Sequence, residues 1–131
     1  MQKTKLPRPT ESELEILKVL WERGPSTVRE VHDDLSAHKP TGYTTVLKLM
    51  QIMTDKGLVR RNEEQRAHVY EARLPQEQTQ KQMLGDLVDR VFDGSASKLV
   101  MQALSGSKTS QQELDQIREL LDEIEKEGGR R

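Results

Sequence analysis

The stretch TGYTTVLKLMQIMTDKGLVRRN, residues 41–62, holds a helix, a stop and the beginning of a strand. Its apolar residues recur at intervals of three and four, which predicts an amphipathic helix with an inward stripe of Val46, Leu49, Met50 and Met53. Gly57 follows Lys56 at the position where a left-handed glycine commonly ends a helix. Beyond it the pattern becomes extended, so a short strand carrying two adjacent arginines is predicted.

The outward face of this helix combines hydroxyls, an amide, a cation and an apolar side chain: Tyr43, Thr44, Leu47, Lys48 and Gln51. Glutamine can bridge an adenine edge in the major groove, lysine can reach guanine or phosphate, and threonine and leucine can touch thymine methyl groups. An exposed Leu47 would otherwise be unfavourable on a solvated helix. The face therefore suits base reading, although composition alone favours an ordinary solvated polar face.

The neighbouring segments supply the context that favours DNA. Capping-box patterns predict helix starts at Thr10–Glu13, Thr27–Glu30 and Ser110–Glu113. The first helix runs to about Arg23, with Leu14, Leu17 and Trp21 on one face, and the second turns Val28, Val31 and Leu35 inward. Two strand candidates follow the third helix, at LVRRN (58–62) and HVYEARL (68–74). Three helices and a hairpin are the order of a winged helix-turn-helix domain, whose third helix reads DNA.

The tip of the predicted hairpin gathers Arg60, Arg61, Arg66 and His68. Side chains of this kind bind phosphates or enter a narrow minor groove, which gives affinity and register more than sequence choice. Glu63 and Glu64 dilute the charge. The alternative interpretation is a solvated edge strand guarded by charged residues.

A helical part begins at Pro75. A fourth helix carries a stripe of Met83, Leu84, Leu87, Val88 and Val91, a short fifth helix covers SKLVMQAL (97–104), and the linker SGSKTS (105–110) leads to a last helix over about 111–126. Leucine and isoleucine alternate at spacings of three and four in that last helix, which is typical of a packing seam. The tail EGGRR is predicted to lack structure. We therefore predict a mainly α chain with a winged helix-turn-helix domain at 1–74 and a helical dimerisation domain at 75–131.

Composition agrees with self-association. The chain has 131 residues, of which 33% are hydrophobic and 33% charged, so a single copy has a modest core. The predicted dimer contacts are Leu84, Leu87, Val88, Val91, Leu99, Val100, Leu114, Ile117 and Leu121. Net charge is −1, but residues 39–73 hold 7 Lys and Arg against 4 Asp and Glu, a local excess of +3 on the predicted recognition helix and wing.

Several classes of protein are excluded. The absence of cysteine removes disulfides, thiolate metal sites and cysteine nucleophiles. His32, His38 and His68 are scattered and predicted to be surface residues, and neither a metal-binding histidine pair nor a glycine-rich phosphate loop occurs. We predict no enzymatic activity, no cofactor and no metal. No apolar run could span a bilayer, and the N-terminus lacks the apolar core of a secretory signal, so a cytoplasmic location is expected.

One other class stays open on these patterns, a winged-helix protein-interaction module that does not bind DNA. The excess of +3 over residues 39–73 is small enough to permit it. The two classes differ in the effect of salt: DNA binding weakens steeply as salt rises, whereas an apolar protein contact does not.

Three segments, PTESELEILKVLWERGPSTVREVHDDL (9–35), GYTTVLKLMQIMTDKGLVRR (42–61) and HVYEARL (68–74), resemble the BlaI/MecI penicillinase repressor family. DLVDRVFDGSASKLVMQAL (86–104) is similar to the dimerisation segment of that family, so the resemblance covers about 10 to 125. It implies a homodimeric winged-helix repressor that binds a palindromic operator and releases it on signalling.

The resemblance also implies a signalling route. In the best-known members, a membrane sensor metallopeptidase triggers cleavage of the repressor within its dimerisation helices, at an Asn-Phe bond. The corresponding bond here is Gln102–Ala103, which departs from the family pattern. A copper-responsive branch of the family uses a cysteine-rich C-terminal motif, which this chain does not have.

Overall fold

The computed structural model describes residues 7–128. Six helices lie in the order α1 (Glu11–Arg23), α2 (Val28–Ser36), α3 (Tyr43–Lys56), α4 (Gln76–Val91), α5 (Ala96–Gly106) and α6 (Gln111–Gly128). The strands are β1 (Ser26–Thr27), β2 (Val59–Asn62) and β3 (Val69–Ala72). The predicted mainly α class, and the order of three helices, a hairpin and three further helices, are confirmed.

The strands form one antiparallel sheet in the order β1-β3-β2. β2 and β3 are the predicted hairpin, with Arg61 opposite Tyr70 and Asn62 opposite Val69. β1 was not predicted, because two residues are too few to show an alternating pattern. Its Ser26 is fully buried and lies opposite Tyr70 of β3, so the link between α1 and α2 forms an edge strand of the sheet.

Local signals set the helix ends. Glu13 N donates to Thr10 Oγ1 at 3.2 Å and Thr10 N donates to Glu13 Oε1 at 2.9 Å, and the same reciprocal pair begins α2 and α6. All three predicted capping boxes are therefore confirmed. Gly57 ends α3 with φ 83° and ψ 17°, the left-handed conformation predicted for it.

The core lies between α1, α2, α3 and the sheet. Its buried hydrophobic residues among those described are Ile16, Leu17, Leu20, Val28, Val31, Val46, Met50, Met53, Leu58, Val59 and Tyr70. The predicted inward face of α1 is partly wrong. Leu14 is only half-buried, and the helix instead turns Glu13, Ile16 and Leu20 inward together with Leu17. Trp21 is half-buried, and its indole N–H donates to the Leu74 carbonyl at 3.0 Å.

The chain divides into two compact units, one ending at Asp86 and the other beginning at Leu87, so the division falls within α4. We call the described residues 7–86 the N-terminal unit and residues 87–128 the C-terminal unit. No side chain of the described C-terminal unit is buried. Of the predicted unstructured tail, Glu127 and Gly128 belong to α6, and residues 129–131 lie outside the described residues, as does the N-terminal segment 1–6. Over residues 7–128, no helix has the length and apolar character needed to cross a membrane.

Candidate DNA interface

The third helix is fixed to the N-terminal unit at both its middle and its end. Val46, Met50 and Met53 are fully buried beneath it, as predicted, whereas Leu49 is half-buried. At its last residue, Lys56 Nζ lies 2.6 Å from Glu13 Oε1. Burial alone would raise the pKa of Glu13, but hydrogen bonds from Lys56 and Thr10 outweigh it and hold that pKa below its ordinary value.

The polar face of α3 points to solvent. Tyr43 (40% exposed), Thr44, Lys48 and Gln51 are all exposed. Thr44, Lys48 and Gln51 follow one another at intervals of four and three residues, so they lie on one side of the helix, with Tyr43 at the edge of that side. The structure therefore brings four of the five predicted base-reading side chains onto one surface. Lys48 forms no ion pair within the described residues, so its charge is available to a ligand.

Leu47 differs from the prediction. It was expected to stand exposed among the polar residues, but it is half-buried and packs against the core. Leu47 and Leu49 lie on opposite flanks of the buried stripe, and both pack against the core. The apolar character of Leu47 is thus explained by packing, and only its outer part is available to a thymine methyl group.

The predicted basic cluster of the wing is divided by strand alternation. In the register of the hairpin, Arg60 lies opposite Glu71 and Arg61 lies opposite the buried Tyr70, so the two arginine side chains leave on opposite faces of the sheet. Arg61 Nε donates to Glu63 Oε2 at 2.7 Å. Hydrogen bonding to Tyr70 and Glu63 raises the pKa of Arg61, so this guanidinium stays charged but is partly neutralised by its neighbour.

The rest of the wing is open to solvent. Arg66 and His68 are both exposed in the loop that joins β2 to β3, and Arg60 is exposed on its strand. Neither arginine forms an ion pair in the part of the chain that the structure describes. Arg60 and Arg66 are therefore better placed than Arg61 to bind a backbone phosphate.

The turn between α2 and α3 is organised by His32, which was predicted to be a surface residue. Its ring is half-buried, and its Nε2 lies 2.8 Å from the Thr41 carbonyl. Ser36 Oγ also donates to that carbonyl, at 3.3 Å. The ring edge meets Tyr43 at 5.7 Å between centroids. The histidine thus fixes the chain immediately before α3, which the sequence could not show because its partner is nine residues away.

A second residue that sequence reasoning missed is Arg29 on α2. Its guanidinium carbon lies 5.2 Å from the centroid of the Tyr43 ring. The neighbouring carboxylates are bound elsewhere: Arg23 on α1 pairs with Glu30 at 3.1 Å and with Asp34 at 3.5 Å. The hydrogen bond from the Thr27 backbone, supported by Arg23, lowers the pKa of Glu30, which therefore stays ionised and paired.

Metal chemistry has no visible basis in the described residues. Across positions 7–128, no three His, Asp or Glu side chains are grouped so that they could hold a metal ion, and the sequence has no cysteine. The features that the N-terminal unit does display are a fixed helix with a polar outer face and a basic wing.

These features are those of a DNA-binding domain, and comparison with known proteins agrees. The family model for the penicillinase repressor matches residues 9–123. The chain belongs to the penicillinase repressor family. The family is one of transcriptional repressors, and the chain is not an enzyme.

Two relatives illustrate the extent of the similarity. The chain is 33% identical over 130 residues to the transcriptional regulator BlaI of Mycobacterium tuberculosis, covering 97% of this chain and 92% of that protein. It is 23% identical over 119 residues to the penicillinase repressor of Bacillus licheniformis, covering 91% and 93%. The N-terminal part is also similar to the solution structure of the DNA binding domain of the repressor BlaI, with a TM-score of 0.50 and 26% identity over 56% of this chain and 90% of that one.

Proposed function

We propose that this DNA-binding transcriptional repressor acts in the cytoplasm as a homodimer on a two-fold-symmetric operator. The observation that carries the proposal is the contrast within the chain between a completed core that supports α3 and a C-terminal unit whose apolar side chains are uncovered. The first gives a surface that can read DNA, and the second requires a partner.

The recognition part rests on α3 and the wing. Gln51 and Lys48 are exposed on the helix that a helix-turn-helix inserts into the major groove, where glutamine favours adenine and lysine favours guanine or phosphate. Thr44 and the outer part of Leu47 would add contacts to thymine methyl groups, and Tyr43 a polar contact at the groove edge. Arg60, Arg66 and His68 would bind the backbone from the wing, and Arg61 would contribute less because Glu63 is bound to it.

The dimer part rests on exposed apolar surface in α4, α5 and α6. Leu84, Leu87, Val91, Val100 and Leu121 are each exposed, with Val91 at 61%, while Val88, Leu99, Leu114 and Ile117 are half-buried. Exposed apolar side chains of this number are costly to leave in water, and a second copy of the same helices would cover them. Two linked units then place two copies of α3 on successive faces of the major groove.

Dimerisation would control affinity. When one unit is bound, the second binds its half-site at a high effective concentration, so neither half-site alone needs to be bound tightly. Binding at the operator would block transcription sterically. Any change that separates the C-terminal units would release the operator without unfolding the DNA-binding units.

The inducing signal would act on these same helices. Gln102 and Ala103 are both exposed in α5 and are not among the proposed dimer contacts, which would leave this bond accessible to a protease. We propose hydrolysis of a peptide bond in this region, by a membrane sensor metallopeptidase or by a protease that it activates, as the route to induction. Incubating the repressor with an induced cell extract and mapping new N-termini by mass spectrometry tests this; induction with the chain still intact would contradict it.

The main proposal is tested by selecting duplexes from a random library at two salt concentrations and sequencing the bound fraction. We expect a two-fold-symmetric motif and binding that weakens steeply as salt rises. Selection of a single half-site would contradict the dimeric arrangement. An absence of binding at low salt would contradict DNA recognition altogether and would favour the alternative function, a winged-helix protein-interaction module.

A further inference from the structure

We propose that Arg29 on α2 is a further DNA-binding residue, which binds a backbone phosphate beside the major groove and is positioned for it by Tyr43. This inference rests on the proposed function, because it assumes that α3 enters the groove. It adds a contact from a helix to which the sequence patterns and the resemblance assigned none.

The geometry places a cation on the rim of the recognition surface. The Arg29 guanidinium carbon lies 5.2 Å from the centroid of the Tyr43 ring, and Tyr43 is the first residue of α3. Both side chains are exposed. A guanidinium over a tyrosine ring is held by cation–π attraction, and the ring accepts none of its N–H donors. Within residues 7–128, the Arg29 side chain has no ion pair or hydrogen bond, so those donors are available.

The Tyr43 ring is itself supported from a second direction. The half-buried His32 ring meets it nearly edge-on, at 5.7 Å and 69°. The same histidine is bound to the Thr41 carbonyl at 2.8 Å, so it cannot swing away without loss of that hydrogen bond. The ring beneath Arg29 is therefore ordered before DNA arrives, and less side-chain entropy remains to be lost on binding.

The surrounding charges leave this arginine without a carboxylate. Glu30 and Asp34 on the same helix both pair with Arg23 of α1. Asp33, one turn beyond Arg29, is exposed and forms no ion pair with it in the described residues. Arg61 of the wing shows the opposite arrangement, since its guanidinium is bound to Glu63 at 2.7 Å. Arg29 is thus free of a bound carboxylate, as a phosphate-binding arginine should be, whereas the predicted wing residue Arg61 is not.

The docking geometry of a helix-turn-helix supplies the ligand. When the recognition helix lies in the major groove, the preceding helix crosses the backbone at the edge of that groove. A residue of α2 that touches the first residue of α3 is then beside a phosphate rather than a base. Arginine suits this ligand because its planar donors can bind two phosphate oxygens at once.

The test uses the full chain and the duplex selected from the random library, with a scrambled duplex of equal length beside it. Arg29→Ala is expected to weaken both complexes by the same factor and to reduce the slope of log affinity against log salt by about 0.9, the value for one phosphate. Lys18→Ala is the control for loss of one exposed positive charge elsewhere in the N-terminal unit; Lys18 lies on α1, with its Nζ 4.0 Å from Glu15 Oε2. We expect the control to leave the slope unchanged, and Arg29→Lys to keep the slope while losing affinity.

The positioning by Tyr43 is tested by a double-mutant cycle with Tyr43→Leu. If the ring presets the guanidinium, the loss of affinity in Arg29→Ala/Tyr43→Leu is smaller than the product of the two single losses. Additive losses in binding would overturn the positioning role. An unchanged slope in Arg29→Ala, in a repressor whose wild type binds the duplex, would overturn the phosphate contact alone, and failure of the wild type to bind any duplex would overturn the proposed function.

Discussion

The two units of this chain differ in whether they bury the apolar side chains of their helices. In the N-terminal unit, residues such as Ile16, Val31 and Met50 are fully buried among α1, α2, α3 and the sheet. In the C-terminal unit, helices with equally regular apolar stripes bury no side chain over the residues described. A stripe therefore predicts that a helix packs, but not whether its partner belongs to the same chain.

The difference indicates a division of labour. The N-terminal unit has a core, satisfied caps and an ordered polar face, so its DNA-reading surface does not need a second copy in order to form. In the C-terminal unit, Met101 is 67% exposed and Ile124 is 56% exposed, which is typical of a protein–protein interface seen without its partner. We therefore expect substitutions in the two units to separate stability, base selection and assembly.

The largest effect is expected from a charge in the apolar seam of α6. Leu121→Asp should convert the dimer to a monomer, because the carboxylate would be desolvated in the interface. Loss of the linked second site should lower operator affinity by about 10²–10⁴-fold. Sedimentation and operator titration measure both changes.

Gln116→Asp provides the matched control, because it places the same charge on an exposed polar position of α6. It should remain a dimer with unchanged affinity. Dimeric Leu121→Asp with full operator affinity would show that the seam does not form the interface.

A smaller effect is expected in the N-terminal unit from Gln51→Ala. Loss of a bidentate contact to one base should cost roughly 1–3 kcal/mol on the operator and relax the preference at one position of each half-site. Titration of the operator, of single-base variants and of random duplexes measures it. Equal weakening on random and selected DNA would refute the base-reading role of Gln51.

The ion pair beneath α3 should contribute stability without affecting assembly. Glu13→Gln removes the charge that Lys56 binds and should lower the free energy of unfolding by about 1–2 kcal/mol at neutral pH, a modest value because Lys56 stays partly in water. The folded-state pKa of Glu13 lies below its ordinary value. The wild-type advantage should therefore be complete above the ordinary pKa and disappear as the pH falls through the folded one.

Denaturant titrations of wild type and Glu13→Gln over that pH range measure the effect, with sedimentation as the check on assembly. A stability difference that grows as the pH falls would have the wrong sign for a carboxylate with a lowered pKa. A change in dimer affinity would show that the effect of Glu13→Gln is not confined to the N-terminal unit.

The smallest effect separates two arginines of the wing. Arg66→Ala should reduce the salt slope by about 0.9, whereas Arg61→Ala should reduce it by less, because Glu63 already neutralises part of that charge. Salt titrations on a random duplex measure both. An equal reduction would mean that Glu63 leaves Arg61 when DNA binds.

Local signals in the sequence predicted much of this fold. Thr10 with Glu13, and Gly57 after Lys56, act within one turn of the chain, and their structures agree with the prediction. The buried stripe of Val46, Met50 and Met53 was equally visible, because helical spacing alone defines it. The resemblance to the repressor family added the operator and the dimer.

What could not be predicted depends on contacts between distant residues. β1 forms only because β3 is beside it, and Leu47 is half-buried because it packs against the core formed by other elements. Arg29 and Tyr43 are in contact although they are fourteen residues apart, and no sequence motif at either residue predicts that contact. The number of lysines and arginines in the interface can be read from the sequence, but only the tertiary structure shows which of them are already bound to carboxylates.

Homodimerisation is tested most directly by the mass of the full chain in solution without DNA, from sedimentation equilibrium at micromolar concentration. We expect about twice the chain mass of 15.1 kDa, since the C-terminal unit needs a second copy to cover its apolar helices. A monomer that keeps the full helical content of α4, α5 and α6 would contradict the claim, because those helices would then be stable with their apolar faces in water.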